Sequence, residues 1–310
     1  MILLKQMLVL FIMMLVGVYC RKKGIFNDEA NKRISSLVVN VANPALILSS
    51  SINQEAVIEG MEFVKTFILA WGMFGGLMVF AYLIPKILKA EASEYGTYRT
   101  MTIFSNIGFM GFPVIDALYG SEALLYATMF LIPFNVLIYT YGISVMKKQT
   151  SDNAQTAGFQ LQKILNAGVI SCVVALVIYL TRLPIPGVVE NAVDSISSLT
   201  APLSMMVIGD SLTKINLKKL FCNGRMLIFS AIKLLLIPIV GVSLIKLLEL
   251  NSLLIGVCMI MLSTPVGSMN AMLAQEYGGD YELASQGVTI TTLLAVLTMP
   301  LVHFLMEVWL

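Results

Sequence analysis

Ser105-Asn106-Ile107-Gly108-Phe109-Met110-Gly111-Phe112-Pro113 sets two glycines, an asparagine and a proline inside an apolar run, and Ser263-Thr264-Pro265-Val266-Gly267-Ser268-Met269-Asn270 does the same later in the chain. Glycine and proline both weaken a helix interior, so each run predicts a helix that stops and restarts. The surroundings decide what that means. Of the 310 residues, 58% are hydrophobic and only 12% are charged, far from the composition of soluble domains. The apolar residues fall in blocks of about 20, the length a helix needs to cross a hydrocarbon core of roughly 30 Å. The ten-residue alternation of an outer-membrane barrel is not seen. Interrupted helices in lipid expose backbone groups that must be buried in protein or line a wet cavity.

Reading outward, apolar runs predict spans near 2–20, 33–53, 62–85, 101–117, 122–146, 164–182, 191–213, 225–248, 251–274 and 282–308. The two interrupted runs are spans 4 and 9. The first block lacks a basic start and a small-residue cleavage site and is followed by Arg21-Lys22-Lys23, so it reads as a span and not a signal peptide. Cys20, Cys172, Cys222 and Cys258 stand singly, without metal-type or disulfide spacing.

Basic residues fix the orientation. Most of the 20 Lys and Arg fall in alternate loops: Arg21, Lys22, Lys23, Lys32 and Arg33; Lys86, Lys89 and Arg99; Lys147, Lys148 and Lys163; Lys214, Lys218, Lys219 and Arg225. The loops between carry Glu55, Glu59, Glu62, Glu122, Glu190 and Asp194, with Arg182 and Lys246 as their clear cations. Both termini are therefore expected outside a cell (inner or plasma) membrane. The loop holding Glu276, Asp280 and Glu282 runs against the rule locally.

One constant shift superposes Lys5 on Lys163, Pro44 on Pro202, Ser105 on Ser263, and Tyr119-Gly120 on Tyr277-Gly278. An internal repeat is expected, residues 1–146 and 164–310, joined by a polar cytoplasmic linker at 147–163. Five spans per half is an odd number, so the second half must insert upside down, the inverted-repeat plan in which solutes bind where matched helices are broken. The expected fold is thus an all-α integral membrane protein of ten transmembrane helices, a 5+5 inverted repeat with crossed broken helices in spans 4 and 9. Free N-terminal amides at such a crossing suit a carboxylate without a formal cation. The ordinary alternative is that Gly, Ser and Pro in these spans only permit close packing or kinks.

SNIGFMGFPVIDALYG at 105–120 resembles the span-4 signature of the auxin efflux carrier superfamily. Residues 263–300, with the Ala274-Gln275-Glu276-Tyr277-Gly278 turn, resemble its spans 9 and 10, and Asn43-Pro44-Ala45-Leu46 and Ala201-Pro202-Leu203 with Gly209 match spans 2 and 7. The resemblance covers nearly the whole chain. It implies an elevator-type carrier of organic anions, with spans 1, 2, 6 and 7 as scaffold and homodimer surface and spans 3, 4, 5, 8, 9 and 10 as the transport domain. Plant members export auxin; bacterial relatives are associated with malonate, malate and similar acids. The implied substrate-binding residues are Asn43, Pro44, Ser105, Asn106, Gly108, Ser263, Thr264, Pro265, Gly267 and Asn270. Ser105 and Asn270 stand where plant members have prolines; the first implies a softer crossover, and the second offers a donor and an acceptor to a second carboxylate, which favours a smaller, more polar acid than auxin. The short 147–163 linker is similar to the bacterial form.

Two charged residues are candidates for a charge or coupling role. Lys233 lies roughly 12 Å into span 8, where a charge is costly unless it faces protein or water; the alternative is snorkelling, which is favoured for Lys65. Asp210 and Asp116 sit near span ends and are expected to be solvated there, as an alternative to joining a proton or cation relay. His303, the lone histidine, is expected to be packed or interfacial. Tyr19 and Trp309 fit an interfacial belt, and the 20 methionines fit packing, with Met269 and Met272 near the solute. No nucleophile-base-acid set, metal cluster or phosphate loop is present, which excludes most enzyme and ATP-driven classes and any cofactor. Coupling to Na+ or H+ stays open. Partners are a small organic anion, lipid and a second copy of the chain, with no nucleic acid. The competing function is a membrane receptor or sensor that binds the same acid without transporting it.

Overall fold

The computed structural model of the chain describes residues 2–52, 60–147, 167–213 and 222–309. Among these the elements are helical, apart from one isolated antiparallel bridge. In chain order they are α1 (Ile2–Lys22), α2 (Asp28–Leu37), α3 (Asn43–Ser49), α4 (Gly60–Ile87), α5 (Tyr95–Ile103), α6 (Phe112–Leu137), α7 (Ile143–Lys147), α8 (Ala167–Thr181), α9 (Gly187–Ser197), α10 (Thr200–Leu212), α11 (Gly224–Ala231), α12 (Ile237–Lys246), α13 (Ser252–Ser263), α14 (Met269–Tyr277) and α15 (Tyr281–Trp309). Six stretches among the described residues are long and apolar enough to cross a membrane: Leu4–Lys22, Gly60–Ile87, Ile107–Met146, Gly187–Leu212, Gly224–Lys246 and Tyr281–Met306. Ala167–Thr181 and Ser252–Ser263 are shorter apolar helices. The chain is a multi-pass membrane protein. The linker residues 148–163, Lys214, Lys218, Lys219, and the side chains of Lys147 and Trp309 lie outside what is described.

Prolines shape these helices in a repeated way. Wide π-helical turns at Val38–Ala42, Ile107–Gly111 and Ile232–Leu236 each end two residues before a proline: Pro44, Pro113 and Pro238. A proline ring collides with the carbonyl four residues back and offers no N–H, and one widened turn accommodates both defects. The Asn43 N–H accordingly bonds Val38 O, and the Ile237 N–H bonds Ile232 O. A fourth such turn, Ile138–Gly142, has no proline in that register.

The chain divides into two units. The first comprises Met1–Ile68, Gly108–Ile132 and Leu165–Lys214. Here α1 crosses α10 so closely that a Cβ at Gly17 would run into the Met206 backbone and one at Gly209 into that of Met14. Small residues at a helix crossing let backbones approach where lipid supplies no hydrophobic drive. The crossing is locked at its polar end. Asn31 Nδ2 donates to Asp210 Oδ2 at 2.6 Å, and Arg21 lies 3.6 Å from Asp210 Oδ1 while also bonding Asp28 at 2.9 Å. Asp210 was expected at a solvated span end; it is fully buried, because α2 starts at Asp28, capped by Asn27, and lays Asn31 over it. Asp116 and Lys65 are exposed.

The second unit comprises Leu69–Ile107, Pro133–Ile164 and Ile215–Leu310. Its core joins Ile84, Tyr98, Met101, Phe229, Val266 and Ile290, with Tyr98 edge-on to Phe229. Hydropathy placed span 4 near 101–117, yet its helix begins at Tyr95, since Gly96, Thr97, Tyr98 and Thr100 are polar or small but buried against protein.

Candidate functional site

In the second unit α5 stops at Ile103 and α13 stops at Ser263, and the two extended breaks pair with each other. Ser105 and Val266 form an antiparallel bridge, the Asn106 N–H donates to Pro265 O at 2.7 Å, and the Gly267 N–H donates to Phe104 O at 3.0 Å. Each break thus satisfies groups that the other exposes, as buried backbone must. Gly267 is required by distance: a Cβ there would sit 3.0 Å from Ser105 O and 3.1 Å from Phe104 O.

Lys233, in the widened turn before Pro238, does not snorkel. It is fully buried, and its ammonium donates to Ser105 Oγ at 2.6 Å and to Thr102 O at 2.9 Å. Thr102 is in the last turn of α5, whose free carbonyls carry negative partial charge. Three N–H donors leave a lysine with one more to place, and no carboxylate ion-pairs with Lys233 among the described residues. Burying an ammonium costs several kcal/mol, and two neutral acceptors offset only part of that. Beside the helix ends from which free amides were expected, the pairing also holds the Lys233 amine. In the first turn of α14 the Asn270 and Ala271 N–H groups close a local turn onto Gly267 O and Ser268 O.

Asn270 is fully buried and its Nδ2 donates to Phe104 O at 2.7 Å and Gly267 O at 2.8 Å. Its Oδ1 is buried without a hydrogen-bond donor. Asn106 is also buried beside the bridge. Ser263 and Thr264 belong to the crossing by backbone, but their hydroxyls donate back into α13, to Met259 O and Met261 O. Thr291 was not anticipated from sequence. Its Oγ1 accepts the Val266 N–H at 3.0 Å and donates to Gly287 O at 2.7 Å, so α15 holds the second break in place. The available signal was the polar run Thr289, Thr291, Thr292 within an apolar span, all three buried.

Within the first unit, Asn43 and Gly108 adjoin: a Cβ on Gly108 would lie 3.3 Å from Asn43 Nδ2. Asn43 Oδ1 is buried without a donor. Pro44 follows in the first turn of α3, and Ser204 of α10, unforeseen in the sequence, reaches Phe109 O at 3.2 Å. Both contacts fall on the widened turn Ile107–Gly111. No group of three or more metal-type side chains occurs among the described residues.

The sequence profile of a family described as membrane transport protein matches residues 2–303. The chain belongs to that family. It is the family of the auxin efflux carriers, whose members are membrane transporters and not enzymes. An uncharacterized transporter of Methanocaldococcus jannaschii is similar at 26% identity, over 95% of this chain and 96% of its own length. An uncharacterized transporter of Methanothermobacter thermautotrophicus is 22% identical over 96% of each chain.

Proposed function

We propose that this family member is a secondary-active carrier of small organic anions, mono- or dicarboxylates in the size range of malate and malonate. The observation that carries the reading is the buried Lys233 amine, which pairs with no carboxylate among the described residues and donates to Ser105 at the pairing of two broken helices. A cation so placed is stabilised by any ligand that brings one negative charge and an acceptor for its remaining N–H. A carboxylate supplies both. Asn106 and Asn270 sit on the same breaks and add amide groups for a hydroxyl or a second carboxyl, while Asn43 and Pro44 are the scaffold's candidates.

The wider plan is ten spans in two inverted halves. Gly120 and Gly278, equivalent under the repeat, both take left-handed φ, 76° and 80°. The non-helical backbone at Gly120 interrupts the Ile107–Met146 stretch, which supports reading it as spans 4 and 5. Spans 1, 2, 6 and 7 are proposed as scaffold and homodimer surface, the other six as an elevator-type transport domain in the cell membrane, with both termini extracytoplasmic.

Purified protein in liposomes, preloaded with unlabelled acid and offered labelled malate, malonate, lactate or an indole acid, tests the reading. Counterflow of at least one small acid is expected. Saturable binding with no flux of any acid would make the protein a receptor instead.

A further inference from the structure

The basic end of α4 carries a feature that substrate handling leaves unused. Tyr82 and Lys86 are one turn apart on the same helix face, and the Lys86 ammonium lies 4.7 Å from the centre of the Tyr82 ring. The Arg99 guanidinium, from α5, lies 4.6 Å from that same ring and 5.8 Å from the Tyr95 ring. Two cations thus share one aromatic ring, no farther apart than the sum of those two distances. Nearby, Arg225 is neutralised by Glu94 at 3.0 Å, but neither Lys86 nor Arg99 ion-pairs with a carboxylate among the described residues. Arg99 Nε is buried with no acceptor. The ring attracts each cation and does nothing for the repulsion between the two. An anion within reach of both does.

The surroundings select the kind of anion. Val79, Tyr82, Leu83 and Ile87 are exposed large side chains on the same helix, and they make an apolar strip that ends at Lys86. In a membrane helix an exposed apolar strip meets acyl chains, and tyrosine marks the headgroup level. A soluble anion would gain the charge contact alone; an anionic phospholipid gains that contact and lays its tails on the strip. We propose that Lys86, Arg99 and Tyr82 form a headgroup site for an anionic phospholipid, independent of whatever the carrier transports.

The test is native mass spectrometry of the purified protein titrated with phosphatidylglycerol and, separately, with phosphatidylcholine. Wild type should hold phosphatidylglycerol preferentially. Lys86→Gln and Arg99→Gln should each weaken it about fivefold, the effect of one basic residue near an anionic lipid. Lys22→Gln, an exposed basic residue elsewhere, should not. Lys86 is exposed, so its variant folds even if the Arg99 variant does not. An undiminished phosphatidylglycerol preference in Lys86→Gln overturns the site, as does displacement of the lipid by an equal concentration of inorganic phosphate.

Discussion

Replacing Lys233 by methionine removes the charge at the crossing and keeps most of the apolar volume. On the fold the effect should be small. The variant is relieved of the several kcal/mol that burying an ammonium costs, and in exchange the Ser105 hydroxyl and Thr102 carbonyl lose their donor, at about 1–3 kcal/mol each. These nearly cancel, and hydrophobic replacement of buried charges is often neutral or stabilising. On anion binding the effect should be large. A carboxylate with its charge about 4 Å from the ammonium gains about 4 kcal/mol at an effective dielectric of 20, close to a thousandfold in Kd. Desolvation of the carboxylate takes back part of this, so a loss of between about tenfold and a thousandfold is expected. Titration calorimetry of malonate into wild type and Lys233→Met, alongside thermal unfolding of both, separates the two effects. Wild-type affinity in a well-folded Lys233→Met protein would refute the counter-charge reasoning.

Gly267→Ala should force the paired breaks apart, since the added methyl meets two backbone oxygens at 3.0 and 3.1 Å; a loss of about 1–3 kcal/mol in thermal unfolding, with weakened anion binding, is expected. Thr291→Val keeps the shape but orphans the Val266 N–H; stability should fall by about 1–3 kcal/mol, and Thr291→Ser should restore it. Gly209→Ala drives a methyl into the Met14 backbone and should separate α1 from α10; about 3 kcal/mol of stability should be lost, whereas Gly72→Ala, inside α4 with open space around it, should cost nothing and raise stability by up to about 1 kcal/mol.

Where the helices break was legible in the sequence because glycine and proline act locally. Ser105 to Pro113 and Ser263 to Asn270 announce their interruptions whatever surrounds them. The pairing of the breaks was not legible from composition, since it rests on Asn106 meeting Pro265 and Gly267 meeting Phe104 across more than half the chain. Lys233 was visible as a charge at depth, but its choice between snorkelling and Ser105 is a matter of helix rotation that hydropathy does not carry. Asp210 misled for a related reason: its place at a helix end implies water, and only the long-range approach of Asn31 and Arg21 removes it. Boundaries erred where helices face protein, as at Tyr95–Thr100, because polar side chains there are satisfied internally.

The most direct measurement places the ligand's charge against the lysine. Solid-state NMR on protein carrying 15N-labelled lysine, saturated with 13C-carboxyl malonate, reports the distance from the carboxylate to Nζ of Lys233. A dipolar coupling corresponding to about 3–4 Å is expected for a charge-assisted hydrogen bond, and it should vanish in Lys233→Met. A bound carboxylate that shows no coupling to Lys233 would contradict a site built on that ammonium.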